Sequence, residues 1–238
     1  MWNVLASLFS NVSWSAAGSI VFGAVISATV SYLLQRNAFA EARRQKEADK
    51  REERRALGLN LFTKMMRIAS TIEILRRSLD NSFARAKADN VSAPPWALVM
   101  PLANLPSKVH FEPKELTEIL RLDFSLFNEV GPFDDIHNSL LDIFAMYRAD
   151  RNALTSTLKA DEMTGSLGRA QFTPEEMKTL QPKMVALDSL IAGMMKRTED
   201  DAKEAWALLQ RLQVALNKEY GLNLSLEQKP STEQKPST

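Results

Sequence analysis

The longest apolar segment of the 238-residue chain lies near its beginning. No charged side chain precedes Arg36, and residues 12–34 are almost all apolar or small. A helix over them would measure about 34 Å, against a bilayer hydrocarbon core of about 30 Å. The pattern predicts a transmembrane helix over 12–35, after a short extracytoplasmic N-terminus over 1–11. A cleavable signal peptide is less favoured, because the segment is long and lacks a basic flank before it.

A charged segment over 36–56 follows and predicts a helical stalk at the membrane surface. Its basic residues outnumber its acidic residues by three. Since basic flanks stay on the cytoplasmic side, the C-terminal part is expected in the cytoplasm and the N-terminus outside the cell inner (plasma) membrane. A solvated stalk is favoured over a specific lipid site, because acidic residues dilute the charge. The residues predicted to set topology and meet lipid headgroups are Arg36, Arg43, Arg44, Lys46, Lys50, Arg51, Arg54 and Arg55.

Small residues recur every four positions in the predicted transmembrane helix and would form a stripe on one face. In lipid, such stripes let two helices approach closely and associate. The stripe therefore predicts a homo-oligomer, although serine hydroxyls can also bond within their own helix. Its members are Ser15, Ser19, Gly23, Ser27 and Ser31.

Beyond the stalk, apolar positions recur with helical spacing, and the fold class predicted is all-α. The expected domain is a cytoplasmic antiparallel bundle of about four helices over 57–221. In its first helix, alternating steps of four and three predict a buried seam. Span, stalk and this helix are expected to form one continuous helix up to about Ala88. The seam consists of Leu61, Met65, Ile68, Ile72, Leu75 and Leu79.

Three further helical patterns follow in the chain. One begins at Pro113 and ends before Gly131-Pro132, and the next runs from about Phe133 to Met163. The last begins with Thr173 as N-cap, Pro174 as first residue and Glu176 in a capping box, and Gly221 is its expected C-cap. Its apolar spacing changes near Thr198 and it contains Pro182, so one long helix and two helices in series both remain open.

Five prolines interrupt residues 89–113, yet this segment is rich in large apolar side chains. A helix cannot continue through such spacing, so the segment is predicted to be an irregular strap. The favoured interpretation is a strap that packs across the bundle, because large apolar groups rarely stay exposed. The alternative is a partner-binding strap around Trp96, with Leu98 and Met100 as further contacts.

Few residues in the chain suggest chemistry. The sequence contains no Cys, which excludes disulfides and thiolate sites, and its net charge of +1 argues against a nucleic-acid partner. Asp134 and His137 lie one helical turn apart and resemble half of a metal site in a helical bundle. The second acidic-x-x-His element such a site requires does not occur in the sequence, so no cofactor, metal or catalytic residue is predicted. An acidic cluster that stabilises a helix N-terminus is favoured at this position.

Residues 222–238 contain the sequence EQKPST twice and are predicted to be a disordered tail. These patterns together predict a single-pass membrane-anchored scaffold, adaptor or signalling subunit. Its expected partners are the lipid bilayer, a second copy of itself and an unidentified protein. The alternative is a membrane-perturbing effector whose transmembrane helix oligomerises, and a weaker one is an enzyme or metal protein that uses Asp134 and His137.

Overall fold

The computed structural model describes residues 14–158, 162–164, 167–169 and 172–226; for residues 14–26 it describes the helix but not the side chains. Apart from one short hairpin, every regular element of the described residues is a helix, which confirms a helical fold. The elements are α1 (Trp14–Ala88), α2 (Pro95–Leu98), α3 (Pro113–Leu122), α4 (Phe124–Val130), α5 (Phe133–Thr157), β1 (Glu162–Thr164), β2 (Leu167–Arg169) and α6 (Pro174–Tyr220).

The chain divides into two compact units, Met1–Arg54 and Arg55–Thr238. Helix α1 contains the described residues of the first unit and ends at Ala88, as the sequence predicted. Within the described part of the chain, no helix is long and apolar enough to cross a membrane. The predicted transmembrane helix therefore remains a prediction, and the side chains of most of its residues lie outside the described set.

Three of the five small residues in the predicted stripe, Ser15, Ser19 and Gly23, also lie outside the described side chains. Ser27 and Ser31 are described and exposed on α1. The basic residues of the stalk, Arg36 to Arg55, are likewise exposed along this helix. The duplicated EQKPST sequence lies outside the described residues.

The second unit is built around α1, α5 and α6. The predicted seam of α1 is fully buried, since each of its six members is at most 1% exposed. Gly58 of α1 lies against Leu216 and Tyr220 near the end of α6, so the two helices contact each other there. Helices α5 and α6 pack along each other, and α4 contacts α6. The predicted helical bundle is therefore present in this unit.

The expected helix between Pro113 and Gly131 is in fact two helices, and that prediction was wrong at Asp123. The backbone of Asp123 is extended, and its side chain accepts a hydrogen bond from Leu126 N at 3.0 Å, which begins α4. Aspartate is among the best N-cap residues because its carboxylate satisfies a free N–H of the first turn. A cap inside an otherwise continuous apolar pattern thus divides the helix.

The helix expected from Phe133 to Met163 ends earlier, at Thr157. Met163 belongs instead to β1, which pairs antiparallel with β2 and places Met163 opposite Gly168. The helical spacing of apolar residues does not extend past Leu158, so the expected end point had weak support. A short hairpin of three residues per strand replaces the last helical turns.

Helix α6 answers the question that the sequence left open, because it is one helix from Pro174 to Tyr220. It begins with the predicted capping box of Thr173 and Glu176. It continues through Pro182 and ends at Gly221, whose φ of 62° is the left-handed conformation that favours glycine. At the change of spacing, the buried Thr198 hydroxyl donates to Met194 O at 2.8 Å and so stays within the helix.

Candidate functional site

The strap, residues 89–112, lies across the bundle and is bound to α5 at two separate places. At one of them, the Asn138 side chain of α5 binds both backbone groups of Val109. Val109 N donates to Asn138 Oδ1 at 3.0 Å, and Asn138 Nδ2 donates to Val109 O at 2.7 Å. Both residues are buried. An asparagine amide presents a donor and an acceptor side by side, so it pairs with an extended residue as a neighbouring strand would.

The other end of the strap is bound farther along α5. The Tyr147 hydroxyl, which is buried, lies 2.6 Å from Val99 O and 3.2 Å from Trp96 O. Arg151 Nε also donates to Trp96 O at 3.0 Å. Burial raises the pKa of Tyr147 to about 12, so its hydroxyl keeps the proton that these carbonyl groups accept. Side chains of α5 therefore supply hydrogen-bond partners for backbone groups of the strap, which its prolines keep out of regular secondary structure.

The three strap residues predicted as partner contacts differ in how exposed they are. Trp96 is 8% exposed and belongs to the core, and its backbone N–H donates to Asp188 Oδ1 of α6 at 2.8 Å. Leu98 is partly buried, whereas Met100 is 45% exposed. The favoured interpretation, a strap that packs on the bundle, agrees with this burial. Whether any of the three contacts a partner stays a prediction.

A groove of about 530 Å³ opens beside Met100, between the strap and the last turns of the bundle part of α1. Ile74, at one end, is 56% exposed. This combination is a candidate binding site, because its volume lies in the range typical of ligand sites and large apolar side chains are exposed there. The lining residues are Ile74, Arg77, Ser78, Asn81, Ser82, Arg85, Ala86, Asp89, Val91, Leu98, Met100, Pro101, Leu102 and Ala103.

The residues that suggested a metal site have other partners. Asp134 Oδ2 accepts a hydrogen bond from Phe111 N of the strap at 3.0 Å, and Asp134 Oδ1 accepts from Asp135 N. His137 is fully buried, and its Nδ1 lies 3.1 Å from Asn138 Oδ1. Among the described residues, no group of three His, Asp or Glu side chains is arranged to hold a metal ion. Asp134 therefore binds the strap, whereas His137 contacts its neighbour Asn138, which in turn binds Val109 of the strap.

Burial lowers the pKa of the His137 imidazole; the contact with Asn138 opposes this in part, and Arg67 lowers and Asp134 raises the pKa by smaller amounts. The neutral imidazole is therefore favoured. Its Nε2 is buried and has no hydrogen-bond partner in the described part of the molecule. A proton added to Nε2 would place an unpaired positive charge in the core, which is costly.

Two buried carboxylates of α3 were not expected from the sequence. Glu115 accepts hydrogen bonds from Glu112 N at 2.7 Å and from Asn60 Nδ2, and its Oε1 lies 2.8 Å from Lys64 Nζ. Glu115 is the third residue of α3, which begins at Pro113. The capping-box pattern at this helix start was the signal that could have identified it. Its partners on α1 could not be found that way.

Glu118, one turn later, accepts hydrogen bonds from the Tyr220 hydroxyl and from Arg121 Nε, the latter at 2.9 Å. Burial and, to a smaller extent, the hydrogen bond to Glu118 raise the pKa of Tyr220 to about 12. Arg121 also contacts Glu219 at 2.8 Å, so this cluster joins α3 to the end of α6. Every charged group in it has a partner, which is typical of a structural contact.

Comparisons with protein families, curated proteins and solved structures gave no match to this chain. The function therefore has to be argued from the groove and the sequence alone.

Proposed function

We propose that this chain is a single-pass membrane-anchored adaptor that binds a protein partner through the groove between α1 and the strap. The observation that carries the proposal is the exposure of Ile74 and Met100 in the same groove, although Trp96 and Val99 of the strap are buried. Exposed apolar side chains that line one concavity are typical of contact surfaces. The strap is held by Asn138 and Tyr147 at two separate points, so the groove exists before a partner binds.

The membrane anchor in this proposal comes from the sequence. The uncharged segment over 12–34 supports a transmembrane helix, and the basic residues from Arg36 onward support a cytoplasmic bundle. The stripe of Ser15, Ser19 and Gly23, continued by Ser27 and Ser31, supports self-association in the membrane. A paired anchor would present two grooves on one membrane surface.

The chain is suited to a direct test of its orientation, because it contains no native Cys. Single cysteines in place of Asn3 and Lys203 would be labelled in intact cells with a membrane-impermeant maleimide. The proposal expects labelling at position 3 alone before lysis, and at both positions after lysis. Labelling of position 203 in intact cells would contradict a cytoplasmic bundle.

The groove can be tested by site-specific photo-cross-linking in intact membranes. A photoreactive amino acid in place of Met100 should capture a partner protein, because this side chain lies in the groove and is exposed. The matched control is Val214 of α6, which is 66% exposed and lies outside the groove. Equal capture at the two positions would show non-specific contact, and no capture at Met100 would refute the proposed surface.

A membrane-perturbing effector is distinguished by a different measurement. Its expression should collapse the membrane potential, whereas an adaptor should leave the potential unchanged. Replacement of Gly23 and Ser27 by Leu should weaken self-association in a membrane-dimerisation reporter if the stripe is the contact.

A further inference from the structure

The two walls of the groove differ in chemistry. The strap contributes an apolar wall, whereas α1 contributes a wall of hydrogen-bond donors and cations. The polar wall consists of Arg77, Ser78, Asn81, Ser82 and Arg85. The apolar wall consists of Leu98, Met100, Pro101 and Leu102. An occupant that satisfies both walls must carry acceptor or anionic groups on one side and apolar groups on the other.

The charge of the polar wall is only partly compensated. Arg77 Nε donates to Glu73 at 2.9 Å, but Arg76 also donates to this carboxylate at 3.1 Å, so two guanidinium groups share one negative charge. Arg85 is exposed and forms no ion pair with another described residue. Asp89 is the one acidic residue of the groove lining. The wall therefore attracts carboxylates, above all at Arg85.

The spacing of the cations fits an extended occupant. Arg77 and Arg85 are eight helical residues apart, which is ~12 Å along α1. In an extended peptide, residues i and i+4 are ~13 Å apart and point to the same side, whereas residues i+1 and i+3 point to the other side. Two acidic residues at i and i+4 would thus meet the arginines, and apolar residues at i+1 and i+3 would meet the strap.

We infer that the groove binds a short extended segment of the partner protein with the pattern acidic, apolar, any residue, apolar, acidic. This inference rests on the proposed adaptor function and names the chemistry of its partner. The apolar side chains bury against Met100 and Leu102, and the carboxylates pair with Arg77 and Arg85. The arginines give register and charge selectivity, while the apolar wall contributes most of the contact area.

The test uses the full chain in detergent micelles and a fluorescent peptide that contains Glu-Leu-Ser-Leu-Glu between Gly-Ser flanks. Fluorescence anisotropy should give a Kd about threefold to fivefold weaker for Arg85→Gln, as expected for one exposed ion pair. The matched control is Lys87→Gln, which removes an exposed cation two residues away that does not line the groove. Met100→Asp should weaken binding by about tenfold or more, because it removes apolar contact and adds like charge.

A second peptide, Gln-Leu-Ser-Leu-Gln in the same flanks, isolates the charge. It should bind more weakly than the acidic peptide, and the difference should shrink as the salt concentration rises. Equal affinity for the two peptides, or equal effects of Arg85→Gln and Lys87→Gln, would overturn the inference. Displacement of the acidic peptide by anionic phosphatidylglycerol vesicles but not by neutral vesicles would also overturn it, because the groove would then bind lipid.

The inference and the proposed function fail in different ways. Cross-linking at Met100 that captures a partner segment without the acidic pattern would leave the adaptor function standing and overturn the inference. Absence of both capture and peptide binding would refute both. A captured segment that carries two acidic residues four positions apart, with apolar residues between them, would support both.

Discussion

The contact between Asn138 and Val109 is the clearest point at which one side chain decides the position of the strap. Replacement of Asn138 by Ala would remove both hydrogen bonds and leave the buried N–H and C=O groups of Val109 unpaired. Each unpaired buried group costs about 1–3 kcal/mol. We therefore expect Asn138→Ala to lower the free energy of unfolding by about 2–6 kcal/mol, a large part of the ~5–15 kcal/mol typical of a domain.

The neighbouring contact of Asp142 with Lys108 serves as the matched control. It joins the same helix to the same strap, and its atoms lie 2.7 Å apart, but both side chains are largely exposed. Because exposed ion pairs contribute about 0–1 kcal/mol, Asp142→Ala should cost no more than that. The two variants thus differ in burial and pairing rather than in location.

The measurement is urea unfolding of the full chain in detergent micelles, followed by circular dichroism. The urea concentration at the midpoint of unfolding should fall for Asn138→Ala. The slope of the free energy of unfolding against urea concentration should stay constant, since the same surface is exposed on unfolding. A loss for Asn138→Ala that lies within about 1 kcal/mol of the loss for Asp142→Ala would refute the argument. It would mean that water forms hydrogen bonds with the Val109 N–H and C=O groups and that Asn138 does not fix the position of the strap.

Four other outcomes can be measured in the same way. Gly193→Ala should stabilise the fold by up to about 1 kcal/mol through helix propensity, because its new Cβ meets nothing within 4 Å. Gly58→Ala should give a free energy of unfolding about 1–3 kcal/mol lower than Gly193→Ala does, because its Cβ would come 2.6 Å from a buried leucine of α6. Equal effects of the two substitutions would argue against this contact between α1 and α6. The free energy of unfolding should fall as the pH drops below the ordinary His pKa of 6.5, by at most about 1.4 kcal/mol per pH unit. The reason is that the unfolded chain binds a proton at His137 more readily than the folded chain does. His137→Gln should flatten this slope and His110→Gln, at an exposed position, should keep it; a slope that persists without His137 would assign it to another group. Tyr147→Phe should cost about 1–2 kcal/mol through its lost hydrogen bonds to the strap, and a neutral result would show that Arg151 suffices.

Most helices of this protein could be predicted from the sequence because their signals are local. The end of α1 at Ala88 precedes a run of prolines, and α6 is bounded by a capping box at Thr173 and a glycine at position 221. Caps and proline effects act within a few residues and need no knowledge of the fold. The N-cap signal of Asp123 is local too, but the apolar pattern on both sides of it predicted one continuous helix.

The site depends on contacts between residues far apart in the chain. The spacing of prolines indicated a strap, and its apolar content indicated burial. Three features of the strap depend on how α5 and α6 pack beneath it. Asn138 binds Val109, Asp188 binds Trp96, and Met100 stays exposed. Partners 29 and 92 residues apart leave no periodic signal in a single sequence. The groove has the same origin, since its two walls come from separate segments.

The sequence by itself determined the helical class of this protein, its seams and caps, and the uncharged segment from which an anchor is proposed. These follow from side-chain period, backbone restriction and charge, all of which act over short range. Only the tertiary structure decided that Asp134 binds the strap, that His137 and Glu115 are buried, and that Arg77 and Arg85 line a groove with an apolar wall. The physical reason is that burial and pairing are properties of packed elements, and packing brings together residues whose order in the chain does not relate them.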